Sequence, residues 1–322
     1  MFENNVKKVL ITGGAGFIGT HLTKELVNRG YFVRIIDNLY RSNTEQLKDL
    51  IKEGKIEFVE GDIRYLPKVL EVCEGMDYIY HQAADCINKS LKSPLESFDT
   101  NIIGTTNVFE AARINKIKKV IFASSASVYG SPEFLPMTEN SPLDPITPYC
   151  ISKLTKEQIA KFYAKFHDVK YIGFRYFNVY GLRQNVDAFY TNVIILFLKR
   201  IKKGLAPIIK GKGEQSMDFI NVKDIVEANI LALEKDVENE IFNLATNQAT
   251  SISQLAQILL KAIGKEDLKP EFSGETTFAW ERRGSYDKAK RFLGWEPKVD
   301  ITKGLTELAK DIYEHPEFYP DD

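Results

Sequence analysis

The chain has 322 residues, 44% hydrophobic and 27% charged, the profile of an ordinary globular protein with enough apolar material for one large or two modest cores. Its 43 basic and 44 acidic side chains leave a formal net charge of −1, which excludes a general electrostatic footprint for nucleic acid. The longest apolar stretch, near residues 193–198, is far too short to cross a bilayer, so no membrane partner is expected.

No signal-peptide pattern precedes the first apolar run, Val9-Leu10-Ile11. Cys73, Cys86 and Cys150 form no CxxC pair and keep no ligand spacing to the four histidines. Free thiols in a reducing cytoplasm, and no metal, are the expectation. In chain order, β-branched runs at 6–12, 32–36, 56–60, 78–81 and 120–124 predict strands. Helical patterns lie between them at 18–29, near 44–52, near 66–74 and at 95–114. Such repeated βα units predict a parallel sheet covered by helices on both faces. A helix at 149–166 and a strand at 170–176 continue the rhythm, which breaks after Gly181.

Beyond the break come a helix at 192–203, a turn at Gly211-Lys212-Gly213, a short strand at 219–222 and a helix at 226–234. From Ser251 the tail is mostly helical, with a loop between Lys269 and Arg283 able to fold over a ligand. The expected fold is α/β: a Rossmann-type doubly wound parallel sheet with a smaller, mainly helical substrate-binding lobe. The sheet domain takes residues 1–180 and roughly 219–245; the lobe takes 181–218 and 246–322. No long linker separates them, so the two are expected to be intimate.

Directly after the first strand, Thr12-Gly13-Gly14-Ala15-Gly16-Phe17-Ile18-Gly19 opens a helix. Glycines at 13, 16 and 19 suit a tight turn, close approach of backbone to a pyrophosphate, and close helix–strand packing. The helix N-terminus then offers free N–H groups and its positive dipole end to phosphates. Asp37, ending the second strand, accepts hydrogen bonds from both hydroxyls of an adenosine ribose and repels a 2′-phosphate, which favours NAD over NADP. Gly61-Asp62-Ile63 follows the third strand at a place suited to the adenine edge.

The fifth strand runs into Ser124-Ser125-Ala126-Ser127, and Thr147-Pro148-Tyr149-Cys150-Ile151-Ser152-Lys153 comes some twenty residues later. Thr147 is a good N-cap and Pro148 suits the first helical position, so Tyr149 and Lys153 lie at i and i+4 on one helix face. A lysine cation beside the phenol, together with an oxidised nicotinamide, is expected to lower the tyrosine's pKa. The phenolate then takes a proton from a sugar hydroxyl as hydride leaves the same carbon. Ser125 is placed to hydrogen-bond that oxygen.

With TGGAGFIG (12–19), Asp37-Asn38, GDI (61–63), HQAA (81–84), SSASVYG (124–130), YCISK (149–153), RYFNVYG (175–181), DFINVKDI (218–225) and KAKRFLGW (288–295), the chain resembles the extended short-chain dehydrogenase/reductase family nearly end to end. It looks most like that family's NAD-dependent nucleotide-sugar epimerases, of the UDP-glucose 4-epimerase type. The resemblance implies Ser125, Tyr149 and Lys153 as the catalytic trio. It implies Gly13, Gly16, Phe17, Ile18, Asp37, Asn38, Asp62, Ile63, Ala83, Ala84 and Asn101 as NAD contacts, together with Tyr149 and Lys153. Substrate contacts carried over are Ser90, Ser125, Tyr149, Asn178, Val193 and Arg282, the last beside Arg283. A homodimer through the 95–114 and 149–166 helices is implied by resemblance alone.

Relatives that dehydrate a nucleotide sugar carry Asp-Glu where this chain has Ala126-Ser127, and decarboxylating relatives keep a glutamate at Ser127. Without those acids, the expected reaction is inversion at C4 of a UDP-hexose through a 4-keto intermediate. Other readings are a dehydrogenase, a 3,5- or 5-epimerase on another nucleotide sugar, or a non-catalytic NAD-binding sensor. Two departures stand out: Cys150 where glycine or alanine is common, and Met217 where many relatives have a phosphate-binding arginine.

Overall fold

Segments rich in valine, isoleucine and phenylalanine, buried on both faces, can be satisfied only as central strands with helices above and below. In the computed structural model, which describes residues 6–184, 192–274 and 281–319, they form one seven-stranded sheet. Its strands are β1 (Lys8–Thr12), β2 (Phe32–Asp37), β3 (Ile56–Glu60), β4 (Tyr78–His81), β5 (Lys119–Ser125), β6 (Tyr171–Tyr176) and an edge strand, Glu240–Leu244. Across the sheet the order is edge strand, β6, β5, β4, β1, β2, β3, and every pairing is parallel. Thr12, the last residue of β1, is paired with Ile36 on one side and His81 on the other. The chain order therefore reverses at β1, and a crevice opens beyond the strand ends there.

Helices Phe17–Asn28, Val222–Glu234 and Asp287–Leu293 cover one face, burying Leu22, Leu26, Ile225, Leu233 and Trp295. Helices Leu66–Cys73, Gly104–Ile114 and Pro148–His167 cover the other with Val69, Phe109, Ala112 and Tyr163. A further core joins helices Asn192–Lys202, Ile252–Ile263 and Ile301–Glu314. Its amphipathic faces bury Ile195, Leu198, Leu255, Leu259, Leu305 and Leu308, each worth about 1.5–3 kcal/mol relative to exposure.

The helix expected at 95–114 is present as one helical run from Pro94 to Ile114, with a π-turn inside it. Ser93 leaves helical backbone before Pro94 starts the short helix Pro94–Phe98, and a wide π-turn at Asp99–Ile103 precedes Gly104–Ile114. An additional helix, Ile87–Lys92, lies upstream. The helix expected from 226 begins at Val222, because the Asn221 side chain accepts from the Lys223 N–H and caps it there. The edge strand was not among the expected strands. Its polar Asn243 is fully buried and serves Tyr129 Oη and the Met137 carbonyl, which breaks the apolar run. Of the loop expected between Lys269 and Arg283, residues 270–274 and 281–282 are described, with short strands at Glu271–Ser273 and Glu281–Arg282. Residues 275–280 lie outside the described residues.

Candidate active site

A cleft of about 610 Å³ runs along the strand ends at the β1 crevice. Its floor at one end is the glycine loop. Gly13 holds φ at +71°, and a Cβ there would come within 2.7 Å of the Ala83 amide nitrogen, so the loop after β4 can press against it only because the side chain is absent. Gly16 is different. A Cβ on it would meet the Gly13 carbonyl at 3.3 Å, a tight approach but well short of the clash at Gly13, and it faces the cleft. Gly16 also precedes helix Phe17–Asn28 without any side-chain cap, which leaves first-turn N–H groups directed at the cleft.

Asp37, at the end of β2, is buried beside that loop. Its Oδ2 accepts from the Ala15 N–H (3.0 Å), while Oδ1 accepts from the Leu39 N–H (3.0 Å) and the Ser42 hydroxyl (2.8 Å). Asn38 donates to Asp62 Oδ2 at 3.0 Å. Burial opposes ionisation of Asp62, but hydrogen bonds from Arg64 and Asn38 overcome it and bring the carboxyl down to about 2. A bare glycine cradle, an uncapped helix start and a buried carboxylate one strand away fit a dinucleotide: diphosphate over Gly16, ribose beside Asp37.

At the other end stands Tyr149. Thr147 caps helix Pro148–His167 by accepting from the Cys150 N–H (3.3 Å), and Pro148 takes the first turn, so the tyrosine enters the cleft from a fixed helix start. Ser125, at the end of β5, lies close enough to the phenol to favour its ionised form, while its hydroxyl accepts from the Ser127 N–H at 3.2 Å. Lys153 shares the wall with its Nζ 5.3 Å from the Tyr149 ring centroid, yet it donates to the Ala123 carbonyl at 3.0 Å. Burial pushes the phenol up to about 12, against the lowering effect of Ser125, and pushes Lys153 down to about 8. The expected lowering of the phenol by its lysine is therefore not produced by the protein alone. Desolvation raises the phenol, and the lysine's Nζ is turned to a carbonyl of β5.

Behind this wall the helix is pinned to the sheet. Glu157 takes both Arg175 Nε (2.9 Å) and Nη2 (2.8 Å), and Ser124 donates to it at 2.6 Å. Asn101 is fully buried and does not line the cleft. It accepts from the Asp85 N–H (2.7 Å) and donates to Ser152 (3.0 Å), tying the β4 loop to the helix one residue before Lys153.

Of the residues singled out from sequence, Gly13, Gly16, Phe17, Ile18, Asp37, Asn38, Ile63, Ala83, Ala84, Ser125, Tyr149, Lys153, Asn178 and Arg282 line this one cleft. Asp62 stands one hydrogen bond behind it. Ser90 is fully buried with its hydroxyl given to the Ile87 carbonyl (2.8 Å), outside the cleft lining. Val193 packs against the core that joins helices Asn192–Lys202, Ile252–Ile263 and Ile301–Glu314 and does not line the cleft either. Tyr40, Arg41, Gln82, Lys89, Ser127 and Tyr176 line it without having been singled out as contacts. Of these, Gln82, Ser127 and Tyr176, which sit inside quoted motifs, carried a signal that would have found them.

Arg282 enters on the short strand Glu281–Arg282, paired in parallel with Ser216–Met217 so that Met217 stands beside it, and its Nη2 donates to the Ala126 carbonyl at 2.7 Å. Arg283 pairs with Glu281 (3.1 Å) and is not part of the lining. Asp218 holds the Arg282 segment: it accepts from the Gly284 N–H (3.2 Å), from the Thr246 N–H (2.8 Å) and hydroxyl (2.6 Å) and from the Asn247 N–H (3.0 Å). Asn178 reaches the cleft next to it, donating to the Asp218 carbonyl at 2.8 Å.

Burial raises the Asp218 carboxyl to about 6, the four donors notwithstanding. A folded-state pKa above the unfolded value of ~3.9 means that the folded chain holds this proton more tightly. The stabilisation is complete below pH ~4 and lost as pH rises through about 6. Asp218→Asn is expected to remove that slope, on the order of 2–3 kcal/mol between pH 4 and 7. Denaturant midpoints of both proteins across that range check it; parallel pH curves would contradict it.

A family model described as "NAD dependent epimerase/dehydratase family" matches residues 9–245. A putative UDP-glucose 4-epimerase of Methanocaldococcus jannaschii is 36% identical over 310 residues, covering 94% of this chain and 97% of that protein. Among solved structures, a UDP-glucose 4-epimerase of Thermotoga maritima with UDP-glucose superposes with a TM-score of 0.88 at 34% identity, covering 95% of this chain and 99% of the other. A UDP-N-acetylglucosamine 4-epimerase of Methanobrevibacter ruminantium in complex with UDP-N-acetylmuramic acid gives 0.90 at 32% identity, covering 96% and 99%.

Proposed function

Because this chain belongs to the NAD-dependent epimerase/dehydratase family, we infer that it is an NAD-dependent nucleotide-sugar 4-epimerase acting on a UDP-hexose. One observation carries the reading: Tyr149, Ser125 and Lys153 meet on one wall of a cleft whose other end is the Gly16 cradle and Asp37. Ala126 and Ser127 occupy the strand end where elimination or decarboxylation would need carboxylic acids.

Gly13, Gly16, Phe17 and Ile18 would hold the diphosphate of NAD, with Asp37 and Asn38 at the adenosine ribose, Ile63 at the adenine, and Ala83 and Ala84 along the middle. Bound NAD supplies a hydride acceptor at C4, later a donor in the same cycle, and a fixed positive charge beside the phenol. Tyr149 Oη takes the proton of the C4 hydroxyl, and the Ser125 hydroxyl holds the same sugar oxygen. The 4-keto sugar turns within the cleft, and Tyr149 returns the proton once the opposite face is presented. Arg282 and Asn178 anchor the nucleotide end of the substrate so that only the sugar turns. Asp62 and Asn101 act by supporting these contacts.

A panel of nucleotide sugars incubated with the protein and NAD, followed by NMR at C4, tests the reading. Interconversion of two C4 epimers with no accumulation of NADH is expected. Accumulating NADH would mean a net dehydrogenase instead.

Leu91 and Leu95, on the short helices before Asp99, and Phe162 and Phe166, on the Tyr149 helix, expose large apolar surface, with Leu95 82% and Phe166 63% exposed. A second copy of the chain is the occupant we assign to that surface, through the two helical segments. Light scattering should then give twice the mass of the chain, and Phe166→Glu should halve it. The free thiols of Cys73, Cys86 and Cys150 suit a reducing cytoplasm. Among the described residues no helix is long and apolar enough to cross a membrane.

A further inference from the structure

The two banks of the cleft touch each other. One bank is the loop after β2. Leu39 adopts φ +54°, and its N–H and the Ser42 hydroxyl both bind Asp37 Oδ1, which fixes the loop so that Tyr40 and Arg41 line the cleft. The other bank is helix Ile87–Lys92, after β4. In the sheet β1 lies between β2 and β4, which puts those two strands roughly 9–10 Å apart. A contact between the loops that follow them must pass over the glycine loop that follows β1.

Such a contact exists. Lys89 Nζ lies 4.0 Å from the centroid of the Tyr40 ring, a close cation–π distance. The same ammonium is held by Asp85 at 3.2 Å and Glu96 at 3.6 Å. All four residues line the cleft. With two carboxylates on it, Lys89 is a braced strut and not a spare cation for a phosphate. Tyr40 is 63% exposed and belongs to no hydrophobic core, so stability does not account for a tyrosine there. Arg41, the next residue, is close enough for its charge to act on the Tyr149 phenol, so this loop reaches from the Asp37 end of the cleft towards the catalytic end.

We propose that Tyr40 and Lys89 form a strap across the mouth of the cleft that retains the dinucleotide between turnovers, a role resting on the cofactor reading given above. An enzyme that regenerates its cofactor within each cycle gains nothing from releasing it. Release requires the ring and the ammonium to part, so the contact adds to the barrier for dissociation and leaves the chemical step to Tyr149.

The test uses the full chain loaded with NAD and freed of excess, with a trapping dehydrogenase that converts released NAD to NADH, so that appearance of NADH gives the release rate. Tyr40→Ala and Lys89→Gln are each expected to speed release about 5- to 30-fold. Tyr40→Phe, which keeps the ring, should stay within about twofold of the parent. The Tyr40→Ala/Lys89→Gln pair should release no faster than the quicker single variant, since both remove one contact. Unchanged release from both single variants, with NAD still taken up by the parent chain, would overturn the strap alone. A parent chain that takes up no NAD would overturn the cofactor reading and the strap with it.

Discussion

Tyr149→Phe is expected to lower the rate of C4 inversion by about 10²–10⁴-fold while the variant still takes up NAD with near-parental affinity. The change removes one oxygen from the cleft wall and leaves the ring, the Thr147 cap and the Glu157–Arg175 anchor in place. The hydroxyl is the only group of Tyr149 that the proton transfer uses, and Ser125 has no basic partner of its own in the contacts described, so it cannot take over the work. The phenol stands near 12 in the protein alone, held there by burial. A tyrosine so far above neutrality does nothing as a base until something adds positive charge beside it. Proton abstraction is thereby tied to cofactor occupancy, and a chain without NAD should leave a sugar hydroxyl untouched. NMR of the C4 proton measures turnover, and an NAD titration measures binding. Parental turnover in the variant would remove Tyr149 from the role of base; lost NAD uptake would make it a cofactor ligand first.

The central sheet was legible because its strands are short β-branched runs at regular spacing, and β3 and β4 fall on the expected residues. The glycine loop, Asp37 and the Tyr149–Lys153 spacing were legible for the same kind of reason: local chemistry at fixed intervals. What escaped the sequence depends on tertiary choices. Ser90 sits inside helix Ile87–Lys92, which the sequence reading did not contain, and its hydroxyl turns back onto the Ile87 carbonyl of that helix. Lys153 has the right spacing to act on the phenol, and only the packed helix shows that its ammonium is taken by the Ala123 carbonyl. Lys156 reads as one more helix-surface charge, whereas it is fully buried with no hydrogen-bond partner for its Nζ among the described residues, and burial takes its pKa well below the ordinary lysine value. The Tyr40–Lys89 contact joins residues 49 positions apart whose meeting follows from strand order, which no local pattern encodes.

Arg175→Met is expected to destabilise the fold by about 3–5 kcal/mol, the largest stability change anticipated for a single substitution in this site. Arg175 on β6 and Glu157 on the Tyr149 helix form a two-bond pair, with side chains 5% and 0% exposed. Tyr129 accepts a further bond from Arg175 Nη1 at 2.8 Å. Removing the guanidinium leaves a buried carboxylate with only the Ser124 hydroxyl on it among the described residues. The penalty is that of an unpaired buried charge and exceeds the net worth of the pair. Glu157→Leu in the same chain removes the orphan, so the double variant should recover most of the loss, whereas simple lost packing would add. Glu157 stands two helical turns from Tyr149, so loosening this anchor should also let the phenol wander and lower kcat beyond what stability explains. Denaturant unfolding of the two single variants and the double completes the cycle. A loss under about 1 kcal/mol for Arg175→Met would show that the helix which presents the phenol is held by something other than this pair.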